Sequence, residues 1–320
     1  MTRFLIRRIV LGLVTLWVIV SLVFILYYVA PSDPARLLAG RAATQAQLHE
    51  ISVRLGLTQP LWQQYLGYFG RIFHGDLGTS YKSNSPVTSI ISGAVPVDIS
   101  LAVGAAIIWL ALGIGVGVLA ARHPRTWLDR AATVFVLTGI SIPTFILGLL
   151  LLYVFFYILT IHGIKIFPSS GNWTPITQNP VEWAHDLILP WITLALITAA
   201  TYSRLTRSTL LDVLGEDYIR TARAKGLSER RVVYRHGLRS ALTPIVTQFG
   251  IDLAGVLGGA ILTETVFGLP GLGHLVVTSI GNEDLPVTQG IVLVAAAFVV
   301  VANIVVDAMY AVLDPRVRLT

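Results

Sequence analysis

The stretch DYIRTARAKGLSERRVVYRHGLR, residues 217–239, decides how the chain is read. It holds six arginines and one lysine, with Gly226 near its middle. Apolar segments long enough to cross hydrocarbon lie on both sides. Leu187 to Ser203 precedes it, and Ser240 to Thr263, apolar apart from Asp252, follows it. Lys and Arg resist translocation, so a loop this basic is expected to stay in the cytoplasm. Its helix–glycine–helix pattern further predicts an ordered elbow that faces another protein.

Working outward, a bilayer core about 30 Å thick needs roughly 20 apolar residues as helix. Four more charge-free runs meet that length: Ile9 to Ala30, Ile99 to Ala121, Ala131 to Ile161 and Leu285 to Val306. The reading is an all-α integral membrane protein with six transmembrane helices. The composition agrees, with 54% hydrophobic and 12% charged residues and a mean hydropathy of +0.74. A soluble domain carries about 25% charged residues. With the N-terminus inside, 17 Lys/Arg fall on inner segments and 6 on outer ones, which places both termini in the cytoplasm. Tyr27, Tyr28 and Trp127 fit interfacial positions. The first apolar run is too long for a signal h-region of about 7–15 residues, so an uncleaved anchor is expected.

The chain divides into a tail and first span (1–30), an outer loop subdomain (31–96) and a five-helix core (97–320). The outer loop shows helical patterns at Thr44 to Leu55 and Pro60 to Phe73, read as surface helices, and a turn signal at Gly75-Asp76-Leu77-Gly78. Pro143 and Pro190 are expected to kink the third and fourth spans. Gly113, Gly115 and Gly117 are expected to let another helix approach the second span closely.

Within the elbow, Asp217 is placed to cap a first helix, Gly226 to end it in a left-handed turn, and Ser228 to cap a second with Glu229 in its first turn. Tyr218, Ala222 and Lys225 fall on one side of the first helix, and Val232 and Val233 give the second its apolar contact. Gln248 and Asp252 are four residues apart and point the same way. They either line a translocation path or bond helix to helix. Asp307, near the inner end of the last span, reads as paired.

The segment from Arg220 through Ala222 to Gly226 resembles a degenerate EAA loop of ABC importer permeases, with Ala222, Gly226 and Leu238 matching. Pro31-Ser-Asp-Pro, Leu55-Gly-Leu, Gly75 to Gly78, the run from Glu264 to Gly273 (ETVFGLPGLG) and Pro286-Val-Thr-Gln-Gly290 resemble the dipeptide/oligopeptide permease B family. The resemblance covers essentially the whole chain. It implies a type I ABC importer permease fold in the bacterial inner membrane and import of di- or oligopeptides. It also implies a second homologous permease, two ATP-binding subunits and an extracytoplasmic solute-binding protein. Asp217, Arg220, Ala222, Arg223, Gly226, Arg230 and Arg231 would then contact the ATPase. Glu264, Phe267, Pro270, Gly271 and Gly273 would form an outer re-entrant segment on the binding-protein side.

The sequence has no G-x-x-x-x-G-K-[ST], H-E-x-x-H or G-x-S-x-G, and no cysteine. ATP and Mg are therefore expected on partner subunits. No cofactor, metal, catalytic residue or nucleic-acid role is expected for the chain. The competing reading is a self-sufficient secondary transporter or channel, with Asp252 as its midplane coupling site. A membrane scaffold without transport leaves the elbow unexplained.

Overall fold

In the computed structural model, residues 2–29, 35–36, 43–54, 56–257 and 260–313 are described. Ala30, Pro31 to Pro34 and Leu55, which entered the sequence reading, lie outside them. The described elements are helices: α1 (Thr2–Phe24), α2 (Gln45–Arg54), α3 (Leu61–Phe73), α4 (Val87–Arg122), α5 (Trp127–Ser141), α6 (Thr144–Ile161), α7 (Pro180–Leu214), α8 (Asp217–Ala224), α9 (Glu229–Leu257), α10 (Ile261–Phe267), α11 (Leu272–Gly281) and α12 (Leu285–Leu313). Six of these, α1, α4, α6, α7, α9 and α12, are long and apolar enough to span a bilayer.

Their core is the α4–α7 pair. A Cβ on Gly104 would lie 2.0 Å from the Trp191 ring, one on Gly113 2.4 Å from Tyr202, and one on Gly117 2.6 Å from Thr206. The contacts climb both helices in the same direction, so α4 and α7 run parallel with α5 and α6 crossing back between them. Missing side chains at these glycines let the backbones close, which is how membrane helices pack when lipid is as apolar as the interior. Gly115 differs from expectation. It has nothing within 4 Å of its Cβ position, because it lies half a turn away from the α7 contact. Trp109, Tyr202, Leu101, Leu187, Leu189 and Ile245 fill the buried layer around the pair.

The first and last spans run antiparallel. Gly12 lies beneath Val300 and Ile304, and Arg8 Nε meets Asp307 Oδ2 at 3.1 Å. The pairing expected for Asp307 therefore lies within the chain. The large apolar residues left exposed on α1 and α6, such as Trp17, Leu22, Leu149 and Tyr153, are what a helix shows to lipid.

Proline position decides its effect. Pro190 is buried inside the continuous α7, whereas Ile142 and Pro143 are both extended and split the expected third span into α5 and α6. A residue before proline is pushed out of the α region, and Ile142 takes that extended conformation. The second span begins at Val87, inside the stretch assigned to the outer loop, and carries Pro96 and Asp98 within it.

The outer-loop helices appear near their expected bounds. Thr44 and Gln47 form a reciprocal capping box at the start of α2, with Thr44 N donating to Gln47 Oε1 at 2.9 Å. The α3 helix packs Tyr65 and Tyr68 on α1, where Tyr65 Oη and Ser21 Oγ lie 2.7 Å apart. The turn at Gly75 to Gly78 has both glycines at positive φ, and Gly78 N donates to Asp76 Oδ1 at 2.9 Å.

Candidate functional site

The basic stretch folds as an elbow, but its parts differ from the sequence reading. Glu216, not Asp217, occupies the N-cap position of α8, and no side chain caps that end. Asp217 sits in the first turn, where its acidic charge still complements the helix dipole, and pairs with Arg220 at 3.3 Å on an exposed face. Gly226 takes φ +77°, the left-handed turn expected of it. Ser228 contributes its backbone carbonyl to Val232 N at 3.0 Å and makes no side-chain cap. The second helix is no separate element, because Glu229 opens the span α9 itself. The elbow is thus one short helix folded against the base of a membrane helix.

Two contacts tie it to the base of α9. Ile219 and Ala222 turn inward onto Val232, flanked by Val213, Leu214 and Leu227. The inward face is therefore Ile219 and Ala222, with Tyr218 and Lys225 exposed beside it. Arg223 forks onto Glu229, with Nε to Oε2 at 3.1 Å and Nη2 to Oε1 at 2.8 Å. Bidentate guanidinium–carboxylate geometry fixes orientation as well as adding energy. Ala222 from the buried face and Arg223 from an exposed one therefore tie the elbow to α9, while Asp217, Arg220, Arg230 and Arg231 are exposed without such a contact to α9 among the described residues. A Tyr218 Oη bond to Ser240 Oγ at 3.0 Å ties α8 to α9 again.

A second clamp braces the same end. Asp129, buried at the start of α5, accepts from Arg207 Nε at 2.6 Å, Arg207 Nη2 at 2.9 Å and Arg125 N at 2.9 Å. Sequence reading missed this pair, since nothing local links residues so far apart. The Arg207 guanidinium, then the Arg125 N–H, holds the Asp129 carboxyl below its ordinary range. A depressed native pKa gives stability that is present above the unfolded value, about 3.9, and is lost as pH falls through the native one. Arg207 is part exposed, so screening limits the gain. Asp129→Asn is expected to cost about 1 kcal/mol at neutral pH and to flatten the acid limb of the stability profile. Thermal melting of the detergent-solubilised protein across pH checks this. An unchanged acid limb would show the pair to be idle.

At the opposite end, α10 and α11 meet at 86° across Gly268, which sits at φ +62°. Asp284, just after α11, accepts from Ser80 Oγ and, at 3.1 Å, from Tyr81 N, so this end lies beside the start of α4. The bend packs on the segment that follows α6, where Gly171 N donates to Phe267 O at 2.8 Å, and the pair has the shape of a broken span or a re-entrant loop. Its expected residues are mostly interior. Glu264, Phe267, Gly271 and Gly273 are buried, and only Pro270 is exposed. Glu264 Oε2 accepts from His274 N at 2.8 Å, and Asp98 Oδ2 accepts from Leu272 N at 2.8 Å. Two buried acids thus satisfy the open N–H groups of one helix N-terminus. A Cβ on Gly271 would lie 2.5 Å from Glu264 Oε2, so a side chain there would displace the carboxylate.

Asp98 escaped the sequence reading because a charge was taken to end the second span. Its signal was an acid set against a long apolar run. Glu264→Ala would leave a buried N–H unsatisfied and is expected to cost about 1–3 kcal/mol. A melting temperature equal to wild type in detergent would contradict that role.

Gln248 Nε2 donates to Asp252 Oδ1 at 3.1 Å, as their spacing implied. Both are half-buried, near the Trp109–Tyr202–Phe249 aromatic cluster.

Comparison with known proteins followed the same outline. A family model described as "Binding-protein-dependent transport system inner membrane component" matches residues 113–319, and its N-terminal companion matches residues 1–102. The dipeptide transport system permease protein DppB of Escherichia coli K12 is 39% identical over 99% of both chains. The glutathione transport system permease protein GsiC of Salmonella choleraesuis is 40% identical over 99% of both. A probable peptide ABC transporter permease of Sinorhizobium fredii is 38% identical over 98% of this chain and 99% of its own. The inward-facing MetNI methionine ABC transporter superposes with a TM-score of 0.54 at 18% identity. The match covers 70% of this chain and 96% of that one, a likeness of fold.

Proposed function

Because the chain belongs to the family of binding-protein-dependent transport system inner membrane components, we propose that it is a permease subunit of an ATP-driven peptide importer. Its elbow and both termini would face the cytoplasm. Peptide as cargo is supported by the relatives, whose names specify dipeptide, peptide and glutathione transport. A second permease would complete the pore, two ATPase subunits would bind the elbow faces, and a solute-binding protein would deliver cargo to the outer side.

The observation that carries the reading is the braced elbow. A short helix clamped to the base of α9 by the Arg223–Glu229 fork moves with that span, not apart from it. ATP binding in the partner would shift Arg220, Arg230 and Arg231, and with them α7 and α9. The buried Ile219–Ala222–Val232 contact carries the displacement because packed apolar cores resist compression. Gln248 and Asp252 would offer a polar, low-affinity lining to the path. In this division, residues 31–96 are the outer subdomain and 97–320 the permease core.

The test is reconstitution of the chain with its second permease, ATPases and binding protein in proteoliposomes. ATP-dependent uptake of dialanine, lost when any subunit is omitted, is the expected result. Uptake by this chain alone, without ATP, would instead make it a secondary transporter.

A further inference from the structure

We propose that a cavity at the outer end of the molecule is a binding site for a small, water-borne oxyanion, of which the carboxylate of a short peptide or other organic acid is the type. The cavity measures about 300 Å³ and is enclosed by the top of α3, the outer end of the first span, the turn before α4 and the first turns of α12. That is room for a ligand of a few residues at most, at the low end of ordinary small-molecule sites.

Its polar lining is rich in donors. Arg71 stands in the wall, and among the described residues no carboxylate pairs with it. The phenols of Tyr28, Tyr68 and Tyr81 line the same cavity. Tyr68 is almost fully buried, and among the described residues its hydroxyl has no hydrogen-bond partner. A buried hydroxyl left unpaired is costly, and a ligand oxygen would relieve the cost. The carboxylate in the wall, Asp76, already accepts from Gly78 N to form the turn. An arginine set among phenols, with no carboxylate paired to it among the described residues, is the chemistry that recognises a carboxylate or phosphate.

The same chemistry could be met by a lipid phosphate, but the placement of Arg71 favours water. Trp62, Leu66 and Phe73 are strongly exposed along one side of α3, the side a lipid-facing helix would turn outward. Arg71 follows Trp62 by nine residues, about two and a half turns, which puts it on the opposite side. The ligand is thus approached from the aqueous face above the bundle. The assignment rests on this lining and not on the peptide reading.

The experiment is isothermal titration of the complete transporter in phosphatidylcholine nanodiscs, without its binding protein. Dialanine, dialanine amide and inorganic phosphate serve as probes. Dialanine is expected to bind and phosphate to compete, with the amide at least tenfold weaker. Arg71→Gln should weaken dialanine at least tenfold and Tyr68→Phe several-fold. Equal binding of acid and amide, or Arg71→Gln indistinguishable from wild type, would overturn the site. So would loss of dialanine binding when phosphatidylglycerol is added, since the lipid phosphate would then be the occupant. So would Arg71→Gln altering only the capture of the solute-binding protein, which would make Arg71 a docking residue. Uptake assays on the same variants, reconstituted with the binding protein in proteoliposomes, separate the two proposals. Normal ATP-driven uptake with Arg71-independent binding rejects the site alone, while absent wild-type uptake rejects the importer reading.

Discussion

Gly104→Ala is expected to prevent the permease core from assembling. The added methyl would lie 2.0 Å from one Trp191 ring atom and 2.3 Å from another, and Trp191 cannot retreat without losing its Nε1 bond to the Ser100 carbonyl at 2.9 Å. Overpacking a tight interior costs about 1–3 kcal/mol, and breaking a buried hydrogen bond about 1–3 more. Together these are a large share of the stability of any domain. Size-exclusion and thermal melting in detergent should show little monodisperse protein. Gly115→Ala is the control. With nothing within 4 Å of that position, it should be neutral or slightly stabilising. Equal behaviour of the two variants would mean that α4 and α7 do not pack as described.

Gly226→Val should spare the fold and disable coupling. No atom lies within 4 Å of the Gly226 Cβ position, so the valine meets no steric obstacle. Its difficulty is the backbone. At φ +77° an ordinary side chain costs about 1–2 kcal/mol, and a β-branched one more. The local way to relieve this is to unwind the turn between α8 and α9, which pulls against the Arg223–Glu229 fork. The melting temperature should move by a few degrees, while binding-protein-stimulated ATPase falls tenfold or more. Gly226→Asn, whose side chain tolerates the left-handed region, should retain most activity. Full stimulation in the valine variant would show that the elbow need not be rigid.

The six spans were legible because hydrocarbon imposes a length and a charge rule that local sequence must obey. So were Gly226 and the close-packing glycines at 113 and 117, where a missing Cβ has a local signature. What was not legible depended on distant partners. Asp98 lies inside a span with Leu272 N of the bent α10–α11 pair donating to it. The Asp129–Arg207 clamp joins two helices with no pattern in common. Pro143 broke a helix that Pro190 left intact, which depends on whether neighbouring packing holds the preceding residue helical. In the elbow, composition identified the surface, but only tertiary contacts separated Arg223 and Ala222, which brace it, from Arg220, Arg230 and Arg231, which face out.

The braced elbow is proposed to lie in the cytoplasm against a nucleotide-binding partner. The chain has no cysteine, so Arg220→Cys introduces a single reporter thiol. In oriented membranes containing the assembled complex, the account predicts that this thiol is labelled by an impermeant maleimide only from the cytoplasmic side. It also predicts that the thiol is shielded when the ATPase subunits are present and crosslinks to them. Labelling from the outer side, or equal labelling with and without those subunits, would contradict it.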